Sequence, residues 1–326
     1  MMLKEAFNVV CASVWCVVCK VFRHRDLKSL WDNWPMLCVL RCATFVFLFL
    51  LGMGSRPIFA ADPAVLIAGD IAQCDSPGPQ LTAHLVKGLP YPVLAVGDLA
   101  YPNGTPQEFA RCYEPTWGAF KHRTYPAPGN HDYRIPGASG YFAYFGERAG
   151  DPEKGYYSFN LGQWHILMLN SNRELEPGSK QLAWLAADLR EHKQPCVLAV
   201  WHHPRYSSSK HGNDARTQAL WTALYQHGVS VHVSAHDHTY ERFAAMNDQG
   251  GRDDAQGIHA FVVGTGGARL YPLVQRHPLS QVWQGDTWGV LKLTLHPQSF
   301  DWEFLPVAGG TFKDAGSAQC VKRRQP

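Results

Sequence analysis

GDLAY, residues 97–101, closes an apolar run with a Gly-Asp pair and sets a tyrosine three positions after the aspartate. An earlier run, VLIA at 65–68, ends alike in GDI at 69–71. Similar runs follow in TYPAPGN (124–130), WHILMLN (164–170), CVLAVWH (196–202) and VSVHVSAH (229–236). Polar, helix-compatible stretches separate them; in QLAWLAADLREH, Leu182, Leu185 and Leu189 recur at helical spacing. Strands alternating with helices predict crossover units and a largely parallel, layered sheet. FVVGTGG (261–267), WGVLKLTL (288–295) and FDWEFLPV (300–307) read as antiparallel strands of a second sheet. With no internal linker or repeat, residues 61–326 are expected to form one α/β domain after an N-terminal extension, residues 1–60.

The ends of these runs carry the chemistry. Asp70, Asp98, Asn130, His202 and His236 each close one. Sites in open α/β sheets form outside the carboxyl ends of strands, so five strand-end donors are expected to converge. In AHDHTYER (235–242), one residue separates His236 from His238, and an extended strand end points both the same way. Asn170 ends its strand on the same edge and is placed to support the donors.

The order GDIA, GDLAY, GNHD, AVWHH, AHDH resembles the calcineurin-like metallophosphoesterases and, within them, the purple acid phosphatases. The resemblance runs by motif from about Val65 to Arg242. It implies a four-layer αββα sandwich, two mixed β-sheets flanked by helices, around two metal ions. Carried over residue by residue, one metal takes Asp70, Asp98, Tyr101 and His238. The second takes Asp98, Asn130, His202 and His236, with Asp98 bridging. Tyr101 supplies a ligand where most of the wider superfamily has a histidine two residues after the first aspartate; here that position is Ala72. A phenolate oxygen suits Fe(III), while imidazole and carboxylate suit Fe, Zn or Mn at the second position. Ala72 and Ala235 also stand where purple acid phosphatases usually have glycine.

The activity so implied is hydrolysis of a small phosphorylated substrate, a phosphate monoester, with two cations acidifying the attacking water and polarising the phosphoryl oxygens. His131, beside Asn130, is expected to protonate the leaving oxygen, with Asp132 as its orienting partner. His211, nine residues after His202, matches a substrate-contacting histidine of the purple acid phosphatases. His203 faces away from the site if its strand continues, and His232, alternating with Val231 and Val233, reads as a satisfied strand residue. His165 and His192 have no partner spacing. The alternatives are a phosphodiesterase acting on nucleotides or phospholipid head groups, and a metal-binding module without catalysis.

Residues 1–60 differ from the rest. They hold seven of the 30 Lys and Arg and three of the 27 Asp and Glu, leaving 23 against 24. That near-neutral remainder gives no electrostatic case for nucleic acid. Arg41, the apolar stretch Ala43 to Met53 and Ile58-Phe59-Ala60 pattern as a signal peptide ending near Ala60, so the body is expected to be secreted or periplasmic. An uncleaved membrane anchor is the alternative, since Met36 to Gly52 approaches spanning length. Translation is expected to begin at Met36. The first strand follows Ala60 so closely that the extra N-terminal β-domain of large plant purple acid phosphatases is not expected.

Four cysteines follow Ala60: Cys74, Cys112, Cys196 and Cys320. Cys74 and Cys112 fall on loops near the carboxyl ends of the strands. Cys196 opens its strand, six residues or roughly 20 Å from His202. A disulfide needs Cα atoms within about 7 Å, so Cys74 is expected to pair with Cys112, leaving Cys196 to pair with Cys320 if the C-terminal tail returns to that edge.

Overall fold

The computed structural model describes residues 62–324; the expected export signal and the anchor alternative lie outside them. Among the described residues, no helix is long and apolar enough to cross a membrane.

The described residues open with three strands in parallel: β1 (Ala64–Ala68), β2 (Val93–Val96) and β3 (Thr124–Ala127). Helix α1 (Gly78–Lys87) makes the first crossover, and α2 (Ser139–Phe145) follows β3. A second group comprises β4 (Tyr157–Leu161), β5 (Trp164–Met168), β6 (Cys196–Val200) and β7 (Val231–Ser234). Helices α3 (Lys180–Glu191) and α4 (Gln218–His227) connect β5 to β6 and β6 to β7. The chain then adds β8 (Tyr240–Phe243), β9 (His259–Val263) and β10 (Ser280–Gln284), and after them β11 (Gly289–Leu295), β12 (Ser299–Pro306) and β13 (Ala315–Gln319). The six-stranded sheet runs β13-β12-β11-β1-β2-β3, the seven-stranded one β10-β8-β9-β7-β6-β5-β4. Both are mixed.

Packing explains the strand sequences. Along β6, Cys196, Leu198 and Val200 share one apolar cluster with Val65, Ile67 and Leu94 of the other sheet, so the two sheets meet face to face. The alternate residues Val197 and Ala199 pack instead with Leu185 and Leu189 of α3 and Leu220 and Leu224 of α4. A strand covered on both faces reads as a continuous apolar run rather than an alternating one. β11 is half-covered, with Lys292 and Thr294 only partly buried, which is why WGVLKLTL alternates.

The assignment of the late strands to a separate second sheet is corrected here. β11 lies antiparallel to β1, extending the sheet that the chain began, with Leu291 opposite Ile67. β9 instead joins the seven-stranded sheet parallel to β7. β1 has an edge that β2 cannot cover, and an unpaired strand edge leaves buried backbone groups unsatisfied. Local periodicity does not say which distant strand will fill it.

Both disulfides form as expected, Cys74–Cys112 and Cys196–Cys320. The second ties the start of β6 to the chain just beyond β13, and so links the two sheets. It closes 124 residues of chain. Replacing it (Cys196→Ala with Cys320→Ser) is expected to lower the unfolding free energy by about 2–4 kcal/mol. Urea unfolding monitored by tryptophan fluorescence measures this; an unchanged midpoint would count against it.

Candidate metal centre

The strand-end donors come from both sheets: Asp70, Asp98 and Asn130 follow β1, β2 and β3, while His202 and His236 follow β6 and β7. Face-to-face packing brings these two sets of carboxyl ends together. Asp70, Asp98 and His236 all have positive φ, at 57°, 53° and 69°. Left-handed backbone at a residue with a β-carbon costs about 1–3 kcal/mol and persists where the surroundings impose it, typically at functional sites. Gly129 permits a close approach: a β-carbon there would lie 2.1 Å from Asp98 Oδ1.

The donors converge on two points. Around the first, Tyr101 Oη lies 2.8 Å from Asp70 Oδ1, 3.3 Å from Asp98 Oδ2 and 3.1 Å from His238 Nε2. Around the second, His202 Nε2 lies 3.2 Å from Asp98 Oδ2 and 3.3 Å from His236 Nδ1. Asp98 Oδ2 therefore touches both groups.

Second contacts orient the histidines. His202 Nδ1 lies 2.8 Å from the Val96 carbonyl and His238 Nδ1 lies 2.6 Å from the Arg269 carbonyl. A carbonyl only accepts, so both Nδ1 atoms carry hydrogen, and in the neutral rings both Nε2 lone pairs face the carboxylates. Lone pairs facing lone pairs need a proton or a cation between them. Without a metal, a proton takes that role: burial opposes charging His202, but Asp98 holds its imidazole up at about 9. Burial works against Asp98 too, yet His202, with His131 and His236, holds its carboxyl well below the usual range. Burial, then Asp70 and Asp98, push the Tyr101 phenol well above its usual range, so a phenolate at this position requires a cation. Asn130 Oδ1 is buried with no hydrogen-bond partner. Leaving such an acceptor unmade costs about 1–3 kcal/mol. All these atoms fit metal ions.

His131 donates its backbone N–H to Asp98 Oδ1 at 2.7 Å. Its Nδ1 lies 2.6 Å from the Pro102 carbonyl, which turns Nε2 toward the site, 3.8 Å from Asp98 Oδ2. Asp132 does not orient that ring, which corrects the sequence expectation. Its buried carboxylate accepts from the backbone N–H of Leu99 and Gly129, at 3.2 and 2.8 Å. It thereby joins the loops of Asp98 and Asn130, because the turn after His131 carries it under the loops, away from the ring's Nδ1. His211 stacks on His236 at 4.2 Å between ring centres. Asn170 donates to Tyr133 Oη at 2.8 Å, steadying the segment after His131.

His203 differs from expectation. β6 ends at Val200, so strand alternation no longer governs residue 203. Its ring packs 4.5 Å from that of His236, and a nitrogen of each of His202, His203 and His236 lies within 4.8 Å of the others. Its Nδ1 is held by Ser171 Oγ at 2.7 Å. His232 is only half satisfied: Nδ1 meets the Ala199 carbonyl at 3.2 Å and Nε2 has no partner. His165 and His192, given no role by the sequence, stack at 4.1 Å with their planes 16° apart beside Asp188. Imidazole lone pairs lie in the ring plane, so near-parallel stacked rings do not aim at one ion; this cluster latches β5 to α3.

Tyr271 and Arg269 have no sequence signal, arriving on an irregular segment after β9. Tyr271 stacks on His238 at 4.0 Å. Both residues, with Gln73, Asp75, Tyr101 and His131, line a cavity of about 550 Å³ beside the first donor group. That volume suits a small-molecule ligand.

The family model for calcineurin-like phosphoesterases matches residues 63–240, more than half of the chain, and the chain belongs to that family. It is 30% identical over 224 residues to purple acid phosphatase 15 of Arabidopsis thaliana, covering 57% of this chain and 42% of that protein. It is 29% identical over 213 residues to human acid phosphatase type 7, covering 55% of this chain and 47% of that one. The chain thus spans less than half the length of these relatives. Among solved structures, a purple acid phosphatase from yellow lupin (Lupinus luteus) seeds superposes with a TM-score of 0.68 at 20% identity, over 81% of this chain and 54% of that one. At that identity the likeness concerns the fold.

Proposed function

We propose that this protein is an exported two-metal phosphoesterase that hydrolyses phosphate monoesters of small molecules. The observation that carries the reading is the double contact of Asp98: Tyr101, Asp70 and His238 gather on one side and His202 with His236 on the other, while Asn130 Oδ1 is buried without a partner. The two disulfides support an oxidising compartment. Asp70, Asp98, Tyr101 and His238 would hold one ion, iron(III) by the chemistry of the phenolate. Asp98, Asn130, His202 and His236 would hold the second, Fe, Zn or Mn. Two such ions supply Lewis-acid polarisation of the phosphoryl group and acidify a water molecule.

The chain's own residues do the rest. The Val96 and Arg269 carbonyls keep His202 and His238 in one tautomer. His211, stacked on His236, would contact the substrate phosphate. Because Pro102 holds the Nδ1 hydrogen of His131, Nε2 donates to a leaving oxygen only from the doubly protonated ring.

Release of the aryl alcohol from an aryl phosphate monoester and from an aryl phosphate diester, before and after metal removal by a chelator, tests the reading. Monoester turnover lost with the metal and restored by it is expected. Preference for the diester would move the protein to the phosphodiesterases, and turnover of neither would leave a metal-binding module.

Tyr101→Phe tests the iron assignment. Protein containing iron(III) is expected to be coloured by a tyrosinate charge-transfer band, which the phenylalanine variant loses. Iron(III) protein without that band would exclude Tyr101 as its ligand.

A further inference from the structure

Asp237 lies between His236 and His238, and none of its side-chain hydrogen bonds goes to either. It is fully buried, and all three bonds its carboxylate accepts come from one loop. Oδ1 accepts the His211 N–H at 2.8 Å; Oδ2 accepts the Ser207 hydroxyl at 2.5 Å and the Gly212 N–H at 3.1 Å. Glu241, four residues on and also fully buried, accepts the Ser208 N–H at 2.9 Å and the Ser208 hydroxyl. The loop in turn holds the wall that bears Tyr271, since Ser209 Oγ donates to the Pro272 carbonyl at 2.8 Å. One short segment thus carries two proposed metal ligands and the clamp on the loop of His211.

We propose that Asp237 is a positioning residue that sets His211 over the metal centre, so that the histidine contacting substrate is registered to the ligands themselves. This rests on the two-metal reading. A carboxylate bonding three donors fixes the loop more tightly than solvent-facing turns would, because charge-assisted bonds are roughly twice as strong as neutral ones.

The test compares Asp237→Asn, His211→Ala and the double variant on an aryl phosphate, with metal content measured for each. The asparagine keeps one acceptor oxygen but turns a donor toward backbone N–H groups. Asp237→Asn is expected to raise KM about tenfold, with kcat changed less than about threefold, the pattern of lost ground-state contact. Two metal equivalents should remain. In the His211→Ala background the same change should add less than about twofold, since residues acting through one another are not additive. Hydrogen exchange at residues 207–213 should quicken in Asp237→Asn, a readout independent of activity. If that variant does not fold, Ser207→Ala, which removes one of the three bonds, should raise KM about threefold. Losses that multiply in the double variant, or metal lost from Asp237→Asn, would overturn the positioning role while leaving the two-metal reading standing. A wild type that binds no metal would instead overturn that reading, and the role with it.

Discussion

Asp98→Ala is expected to lower kcat/KM for a phosphate monoester by on the order of 10³-fold or more, the scale of losing a group that organises charge in the site. The variant should also lose bound metal at both positions. The reason is the dual contact of one oxygen: Asp98 Oδ2 lies 3.2 Å from His202 Nε2 and 3.3 Å from Tyr101 Oη. With two ions held as proposed, removing the carboxylate would take away the one anion that both donor groups contact. His202 loses the partner that raises its imidazole. Asp98 Oδ1 also accepts the His131 N–H, so the loop carrying the proposed acid loosens as well. Elemental analysis of the purified variant decides the matter. Two full metal equivalents in Asp98→Ala would defeat the bridging assignment, even if activity were gone.

His131→Ala should separate substrates by leaving group. For alkyl esters, whose leaving oxygen needs a proton, turnover is expected to fall by about 10²-fold, the lower range for loss of a general acid. For an activated aryl ester, which departs as a stable anion, the fall should be at most several-fold. The structure makes this specific to Nε2, because the Pro102 carbonyl holds Nδ1 and Asp132 spends both oxygens on backbone N–H groups. A leaving-group series measured on both proteins gives the slope of rate against leaving-group acidity. Equal losses along the series would show that His131 binds phosphate rather than protonating the alcohol.

Several assignments were readable in the chain itself. Runs such as VLAVGD and CVLAVWH announce strands buried on both faces, because continuous apolarity is what double coverage requires. The positions of Asp70, Asp98, Asn130, His202 and His236 at strand ends were legible because each closes such a run, while Tyr101 entered through the resemblance of GDLAY to the purple acid phosphatase motif. The disulfide pairing was readable because Cys196 opens β6, at the end of the strand away from His202, while Cys74 and Cys112 fall on loops at the other end. These are local properties, carried by spacing along one segment.

Other features depended on contacts between distant segments. β11 pairs with β1 across more than two hundred residues, and either sheet edge would have accepted its alternating pattern. Asp132 was expected beside His131, but it bonds the loops on either side because the turn after His131 buries it beneath them. His203 was read by strand alternation, which ceased to apply once β6 ended at Val200. Tyr271 stacks on His238 and Asp237 clamps the loop of His211, though neither residue belongs to a periodic pattern. Sequence alone determined which residues end the strands and what chemistry those residue types support. Tertiary structure decided how the two sheets share those ends, because a hydrogen bond or a ring stack between segments leaves no period in either one.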